Sequence, residues 1–181
     1  MEITKRAKSI RLLVLDVDGV LTEGQIAVGS EGEIWKVFHS QDGLGIAAAG
    51  KVGLKTAIIT GRHSEMVRRR CQELKITDVV QGSMDKAASL RELAAVHKLD
   101  LSEIAYAGDD LNDLPALSLA GLACAVANAA EEVKAAAHYV TNRQGGRGAV
   151  REIIELILKA QGKWEDVVSL YRSPGLVETR Q

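Results

Sequence analysis

The chain has 181 residues, of which 46% are hydrophobic and only 3% aromatic, and its 23 basic and 24 acidic residues leave a formal net charge of −1. This length fits one domain with an aliphatic core. The balanced charge excludes an intrinsically disordered chain and gives no electrostatic reason to expect a nucleic-acid partner. The N-terminal residues lack a signal-peptide cleavage site, and the longest uncharged stretch, residues 114–130, falls short of the ~20 apolar residues that span a membrane. We therefore expect a cytoplasmic protein without a membrane partner, in which Cys71 and Cys124 are reduced.

Short aliphatic runs alternate with segments of helical periodicity along the chain. The runs predict strands over residues 10–15, 54–59, 77–80, 104–107, 122–126 and 138–140. Helical spacing lies between them, over residues 43–51, 64–75, 85–98, 112–119, 130–137 and 147–161. Continuous apolar strands separated by helices are typical of a parallel sheet that is covered on both faces. We predict the α/β class, with a doubly wound, Rossmann-like parallel sheet.

One segment interrupts this alternation directly after the first strand. Residues 25–28 and 33–38 flank the turn-rich tetrapeptide Gly29-Ser30-Glu31-Gly32, which predicts an inserted β-hairpin. The hairpin segment carries Trp35 and Phe38, two of only six aromatic residues. Because an isolated two-stranded hairpin is only marginally stable, it packs either on its own domain or at an interface with another chain.

The C-terminal segment loses the helical periodicity that precedes it. Residues 163–181 contain Pro174-Gly175 and predict a tail. We therefore divide the chain into one α/β domain over residues 1–162 and a tail over residues 163–181. The hairpin, over about residues 23–38, belongs to the domain as a flap, and no stretch of chain is left for a cap domain.

Polar motifs follow four of the predicted strands. They are Asp16-Val17-Asp18-Gly19, Thr60-Gly61-Arg62, Lys86 at a helix start, and Gly108-Asp109-Asp110-Leu111-Asn112-Asp113. Open parallel sheets bind ligands at the carboxyl ends of their strands. Each motif alone is weak, because surface acids are mostly just solvated. Their order, each at a strand end, indicates a single site.

The acidic side chains of these motifs suit magnesium-assisted phosphoryl transfer. Asp16, Asp18 and Asp109 offer hard oxygen ligands, and carboxylates at this density repel one another and need a cation such as Mg²⁺. One aspartate of the first motif can attack phosphorus and form an aspartyl phosphate. The other can protonate the leaving alkoxide and then deprotonate water. The Thr60 hydroxyl and the Lys86 ammonium would donate to phosphoryl oxygens.

The order of these motifs resembles that of the haloacid dehalogenase superfamily of aspartate-nucleophile phosphatases. The motifs are DVDGVLT, TGR, a lone lysine and GDDLND. The resemblance covers residues 10 to about 152. It implies that Asp16 is the nucleophile and Asp18 the acid/base. It also implies that Mg²⁺ is bound by the Asp16 carboxylate, the backbone carbonyl of Asp18 and Asp109, with Asp113 acting behind these ligands. The implied phosphate-binding residues are Thr60, Gly61, Lys86 and Asn112.

Further segments resemble a capless subfamily that hydrolyses 3-deoxy-D-manno-octulosonate 8-phosphate in lipopolysaccharide precursor synthesis. They are the hairpin, FHSQDGLGI, IITGR, YAGDDLNDLP and GGRGAVRE. This resemblance implies a homotetramer in which a neighbour's hairpin closes the site. Arg62 and Glu73 favour this eight-carbon sugar acid over a related nine-carbon acid 9-phosphate, and a broad-range sugar phosphatase is the remaining enzymatic alternative. At Asn112, many members of the subfamily have Ile.

The carboxylate of a sugar acid calls for a guanidinium in the site. Arg62 lies beside Thr60 in the sequence and is the first candidate. Arg70 is a second candidate, although in the run Arg68-Arg69-Arg70 a solvated helix face explains it equally well.

Two non-enzymatic alternatives use the same residue types. A signalling receiver module also combines an acidic pair, a phospho-accepting aspartate, a Thr and a Lys, but there the acidic pair comes first in the chain. Here the Asp-x-Asp motif precedes the Asp109-Asp110 pair, which favours the phosphatase. A catalytically idle scaffold of the same fold is disfavoured because the four residues that the chemistry needs are all present: Asp16, Asp18, Lys86 and Asp109.

Overall fold

The computed structural model describes residues 2–172 and contains helices alternating with strands. Its helices are α1 Glu2–Ser9, α2 Ser40–Lys51, α3 Glu65–Glu73, α4 Lys86–His97, α5 Leu114–Leu117, α6 Glu131–Ala136, α7 Ala149–Ala160 and α8 Trp164–Arg172. Its strands are β1 Leu12–Leu15, β2 Ala27–Gly29, β3 Gly32–Trp35, β4 Lys55–Thr60, β5 Asp78–Gln81, β6 Ile104–Gly108, β7 Leu122–Ala125 and β8 Tyr139–Val140. Two 3₁₀ turns cover Leu101–Glu103 and Leu111–Asp113.

A six-stranded sheet in the order β5-β4-β1-β6-β7-β8 forms the centre of the molecule, and every pairing in it is parallel. All residues of β1, β6 and β7 are buried, because helices cover both faces of the sheet. This explains why these strands are continuous aliphatic runs without polar alternation. The α/β, doubly wound fold predicted from the sequence is confirmed.

β1 lies at the point where the strand order reverses. It pairs with β4 on one side and with β6 on the other, and the chain crosses from one half of the sheet to the other between β5 and β6. At such a point the loops after neighbouring strands diverge and leave a crevice at the carboxyl edge. The first, second and fourth polar motifs follow β1, β4 and β6, and therefore meet at this crevice.

Local signals in the sequence set the ends of the helices beside this crevice. The Ser64 hydroxyl caps α3 by accepting from the Val67 amide, and the Asp85 carboxylate caps α4 by accepting from the Ala88 amide. At the start of α7, the amides of Gly148 and Arg151 donate hydrogen bonds to the buried carboxylate of Asp42. Asp42 belongs to α2, so this bond also ties α2 to α7.

The hairpin forms where the sequence predicts it, as the antiparallel pair β2–β3. The segment predicted as a helix over residues 112–119 is instead a 3₁₀ turn followed by the short helix α5, with Pro115 in its first turn. α1 was not predicted, because only two of its eight residues, Ile3 and Ala7, are apolar. The helices within the described residues include none long and apolar enough to span a bilayer.

The predicted tail requires a correction over its first residues. α8 covers Trp164–Arg172, and Val167 is buried against the rest of the molecule. The helix forms because Trp164, Val167 and Tyr171 repeat at helical spacing, a pattern too short to stand out in the sequence. Pro174-Gly175 lies outside the described residues, and the division at residue 162 stays a prediction.

Candidate active site

Asp16 and Lys86 face each other at the carboxyl end of the sheet. Asp16 directly follows β1 and is 5% exposed, and its amide donates to the Ala107 carbonyl at the end of β6. Lys86 is the first residue of α4 and is 4% exposed. Its Nζ lies 3.2 Å from Asp16 Oδ1. The parallel sheet thus brings together two residues that are far apart in the sequence.

Asp113 is fully buried and links the two halves of this site. Its Oδ1 accepts hydrogen bonds from Lys86 Nζ at 2.6 Å and from the Tyr106 hydroxyl at 2.7 Å. Its Oδ2 accepts from the amides of Asp109 and Asp110 at 3.0 and 3.3 Å. Since both oxygens are used in this way, Asp113 holds the Lys86 ammonium and the loop after β6 in place. Tyr106, which the sequence analysis missed as a site residue, belongs to this arrangement.

The carboxylates at the site fit a divalent cation. Asp16, Asp109 and Asp113 can each present an oxygen within 4.8 Å of the others. Asp109 Oδ1 is buried and accepts no hydrogen bond from the described residues, so one hard oxygen ligand is left free. Because the Asp113 oxygens are occupied by donors, the available ligands are those of Asp16 and Asp109. Lys86 is the one ammonium group placed beside these carboxylates among the described residues, and their hard oxygen ligands match Mg²⁺.

The electrostatics of the two available carboxylates agree with this fit. Burial, followed by the nearby charge of Asp113, raises the pKa of Asp16 to about 7, although Lys86 opposes the shift. Burial, followed by the charges of Asp16 and Asp113, raises the pKa of Asp109 to about 7. Near neutral pH each group is therefore divided between its protonated and ionised forms, and an added positive charge would favour the ionised form.

The other predicted phosphate-binding residues, Thr60, Gly61 and Asn112, differ from one another in burial and contacts. Thr60 is buried at the end of β4, and its carbonyl accepts from the Ser83 amide, which fixes the loop before α4. Gly61 follows Thr60, and a methyl group added there would meet only the Ser83 carbonyl, at 3.7 Å. Asn112 is exposed in the 3₁₀ turn after β6, and its side chain makes no hydrogen bond to the residues that the structure describes.

The side chain of Asp18 lies outside the three-carboxylate cluster, beside the hairpin. Its Oδ1 accepts from the Lys36 ammonium, and its Oδ2 lies 3.9 Å from Arg62 Nε. Lys36 also pairs with Glu33 Oε1 at 2.8 Å, and the Ser64 hydroxyl donates to the other oxygen of Glu33. The hairpin therefore contacts the site of its own chain. Lys36 and Glu33 were not among the site residues expected from the sequence.

The two candidate arginines lie in different places. Arg62 is half-exposed at the edge of the site, close to Asp18. Arg70 lies on α3 with its guanidinium against Gly43 of α2, and it pairs with Glu73 at 3.0 Å. Among the described residues it contacts none of the other candidate site residues. The structure therefore brings Arg62, but not Arg70, to the carboxyl edge of the sheet.

A glycine-rich loop supports the first motif from behind. Methyl groups added at Gly145 and Gly146 would lie 1.6 Å from the Gly19 carbonyl oxygen and 2.4 Å from the Glu23 amide, so the two loops touch through their backbones. A methyl group at Gly19, where φ is +92°, would lie 1.9 Å from Asp109 Oδ2. Glycines at these positions allow the loop after β1 to lie between the GGRG segment and Asp109.

The sequence of this chain is similar to those of haloacid dehalogenase-like hydrolases and of curated phosphatases. A profile of haloacid dehalogenase-like hydrolases matches residues 74–154. The 3-deoxy-D-manno-octulosonate 8-phosphate phosphatase KdsC of Yersinia pestis is 44% identical over 169 residues, which cover 93% of this chain and 90% of the relative. KdsC of Escherichia coli K12 is also 44% identical, over 91% of this chain and 88% of the relative.

Two solved structures of similar proteins contain a bound metal ion. A 3-deoxy-D-manno-octulosonate 8-phosphate phosphatase from Moraxella catarrhalis, in complex with magnesium, phosphate and KDO, superposes with a TM-score of 0.91 at 47% identity. The match covers 94% of this chain and 98% of that one. A cobalt-bound phosphatase from Haemophilus influenzae superposes with a TM-score of 0.87 at 38% identity, over 93% and 96% of the two chains.

Proposed function

The chain belongs to the 3-deoxy-D-manno-octulosonate 8-phosphate phosphatases among the haloacid dehalogenase-like hydrolases, and we propose that it hydrolyses this sugar-acid phosphate with Mg²⁺ as cofactor. The products are the free sugar acid, a lipopolysaccharide precursor, and phosphate. The observation that carries the proposal is the set of Asp16, Lys86 and Asp109 at the carboxyl edge of the sheet, in which Asp16 and Lys86 are buried and Asp109 is partly buried. The chain that carries these residues matches 90% of the length of a Yersinia pestis enzyme of this activity.

We assign the nucleophile to Asp16, whose carboxylate oxygen bonds to phosphorus while the bond from phosphorus to the sugar oxygen breaks. Asp18 donates a proton to the departing sugar oxygen, which leaves as a hydroxyl group. Asp18 then takes a proton from water as the water oxygen attacks phosphorus. The aspartyl phosphate is cleaved, and phosphate leaves with the Asp16 carboxylate restored.

Asp16 and Asp109 would bind Mg²⁺ through their side chains, and the backbone carbonyl of Asp18 is the third protein ligand in this proposal. When bound, the cation neutralises these carboxylates and the phosphoryl oxygens. Lys86 brings a second positive charge, which Asp113 orients by its hydrogen bond at 2.6 Å. The Thr60 hydroxyl, the Gly61 amide and Asn112 complete the proposed phosphate-binding set.

Recognition of the sugar acid is assigned to the exposed side of this crevice. Arg62 is half-exposed there and carries the guanidinium that suits a carboxylate. Arg70 stays a prediction that the geometry of a single chain does not support, because its guanidinium lies against α2.

We further propose a homotetramer that acts in the cytoplasm. Among the described residues, Val28, Ile34, Trp35 and Val37 of the hairpin segment are each more than half exposed, and a neighbouring copy would cover them. Closure of the site by a neighbour's hairpin is part of this proposal, alongside the contact that Lys36 makes within its own chain. A cytoplasmic location agrees with Cys71 and Cys124, which are free and buried.

The proposal is tested by measuring phosphate release from a panel of substrates, with Mg²⁺ and with excess EDTA. The panel contains 3-deoxy-D-manno-octulosonate 8-phosphate, the nine-carbon acid 9-phosphate and a sugar phosphate without a carboxylate. We expect the highest kcat/KM on the eight-carbon acid and loss of activity with EDTA. The Asp16→Asn variant, purified in parallel, controls for contaminating phosphatases. A flat profile, or preference for the nine-carbon acid, would overturn the substrate assignment.

A further inference from the structure

The ammonium of Lys36 is buried beside the proposed acid/base. Lys36 follows β3 of the hairpin, and only 1% of its side chain is exposed. It donates to Asp18 Oδ1 and lies 2.8 Å from Glu33 Oε1. Burying an ammonium group costs several kcal/mol unless carboxylates compensate it. Lys36 therefore differs from an ordinary surface lysine, whose ammonium group is solvated.

The carboxylates around Lys36 keep its charge in place. Burial opposes the charge, but the hydrogen bonds to Asp18 and Glu33 outweigh it and raise the pKa of Lys36 above its usual range. Within residues 2–172, the charged groups that pair with Lys36 are these two carboxylates, and the guanidinium of Arg62 approaches the other oxygen of Asp18, with its Nε 3.9 Å from Oδ2. The ammonium group of Lys36 therefore has carboxylate partners on two residues, Asp18 and Glu33.

Glu33 ties Lys36 to a rigid part of the fold. The oxygen of Glu33 that does not face Lys36 accepts from the hydroxyl of Ser64. Ser64 is the N-cap of α3, and its amide donates to the Gln81 side chain at 2.6 Å. The chain of contacts from Asp18 through Lys36 and Glu33 to Ser64 thus joins the loop after β1, the hairpin and the start of α3.

We propose that Lys36 is a positioning residue for Asp18. Its ammonium, anchored through Glu33, holds the Asp18 carboxyl group where it meets the leaving oxygen of the substrate. This proposal rests on the proposed phosphatase function and adds a role for the hairpin of the same chain. In the first step, which releases the leaving group and determines kcat/KM, a misplaced general acid slows only those esters whose leaving group needs a proton.

The experiment compares kcat/KM of Lys36→Met and wild type on three phosphate esters. p-Nitrophenyl phosphate releases a stabilised anion that leaves without a proton, glycerol phosphate releases an alkoxide but carries no carboxylate, and the sugar-acid phosphate releases an alkoxide and carries one. We expect kcat/KM to fall at least about tenfold on both alkyl esters and less than about threefold on the aryl ester. Lys36→Arg, which keeps the charge, should recover part of the loss.

A fall confined to the sugar-acid phosphate would overturn the proposal and make Lys36 a ligand of the substrate carboxylate. An equal fall on all three esters, or none, would overturn it as well. Lys8→Met, on the exposed face of α1, is the matched control and should leave all three values unchanged. If Lys36→Met does not fold, Glu33→Gln tests the same point, with a smaller loss of the same selectivity.

The same measurements separate this proposal from the proposed function. Wild type that fails to hydrolyse the sugar-acid phosphate would overturn the substrate assignment. The comparison of glycerol phosphate with p-nitrophenyl phosphate would still test Lys36, since both esters report on Asp18 without the sugar acid.

Discussion

Lys86 Nζ lies 2.6 Å from Asp113 Oδ1, and this buried pair joins the start of α4 to the turn after β6. Burial opposes the charge on Lys86, but Asp16 and Asp113 outweigh it and raise the pKa of Lys86. A buried ion pair adds little net stability, because both charges lose their hydration. Its effect here is geometric, since it fixes the one buried ammonium group that faces Asp16 in the described part of the chain.

Lys86→Met should lower kcat by at least ~10²-fold, because it removes a fixed positive charge from the phosphoryl oxygens. It should also lower the free energy of unfolding by ~3 kcal/mol, since the Asp113 carboxylate is left buried without its cation. Phosphate release and urea unfolding measure the two effects. Lys8→Met, which removes an exposed lysine, is the control and should change neither. Activity within twofold of wild type would contradict the assigned role of Lys86.

Asp16→Asn should abolish turnover and yet stabilise the metal-free protein at pH 8. The pKa of Asp16 is about 7 in the folded state against an ordinary 3.8, so stability falls as the pH rises from 3.8 to about 7, and the full cost of the ionised carboxylate is present above pH 7. At ~1.4 kcal/mol per pKa unit, removing the charge raises the free energy of unfolding in EDTA by at most ~4 kcal/mol. The gain should shrink at pH 5, where wild type folds with Asp16 protonated. Calorimetry in EDTA at both pH values checks this, and a loss of stability at pH 8 would contradict it.

Affinity for Mg²⁺ should fall as the pH falls through 7. Asp16 and Asp109 each have a pKa of about 7, and each must be deprotonated to bind the cation. Below pH 7, each fall of one pH unit should raise the Kd for Mg²⁺ by up to ~10-fold for every proton that the cation displaces. Titration calorimetry with MgCl₂ alone at pH 8, 7 and 6 measures the affinity, and buffers of different ionisation enthalpy count the protons released. An affinity that does not change between pH 6 and 8 would contradict the raised pKa values.

The central fold could be predicted because its signals are local. Buried parallel strands are continuous aliphatic runs, and each of the four polar motifs follows such a run. Asp16, Thr60 and Lys86 all lie at the carboxyl side of the sheet because every strand in it is parallel. The direction of the strands alone is therefore enough to bring these residues to one edge.

The residues that were missed depend on contacts the sequence does not encode locally. Glu33 and Lys36 are three positions apart and would face opposite sides of a regular strand; they meet because β3 ends at Trp35. Tyr106 lies within a fully buried strand, where no alternation shows which side chain faces Asp113. For Arg70 the run of three arginines could not distinguish a ligand from a helix-surface residue, and the packing of α3 on α2 decided its place.

Gly145→Ala should lower both activity and Mg²⁺ affinity through the backbone of the first motif. A methyl group at Gly145 would lie 1.6 Å from the Gly19 carbonyl oxygen, so the loop after β1 must move away. Gly19 in turn lies against Asp109, where its own added methyl group would be 1.9 Å from Oδ2. Displacement of this loop therefore changes the position of Asp109 relative to Asp16, and a misplaced carboxylate weakens cation binding.

The matched control is Gly50→Ala, in α2, where an added methyl group meets no atom within 4 Å. There the substitution favours the helix, by about 0.5–1 kcal/mol, and should raise the melting temperature slightly without changing kcat. For Gly145→Ala we expect kcat to fall at least about tenfold and the Kd for Mg²⁺ to rise in a protein that still unfolds cooperatively. Wild-type kcat and Mg²⁺ affinity in Gly145→Ala would show that the GGRG loop does not fix the position of the metal-binding carboxylates.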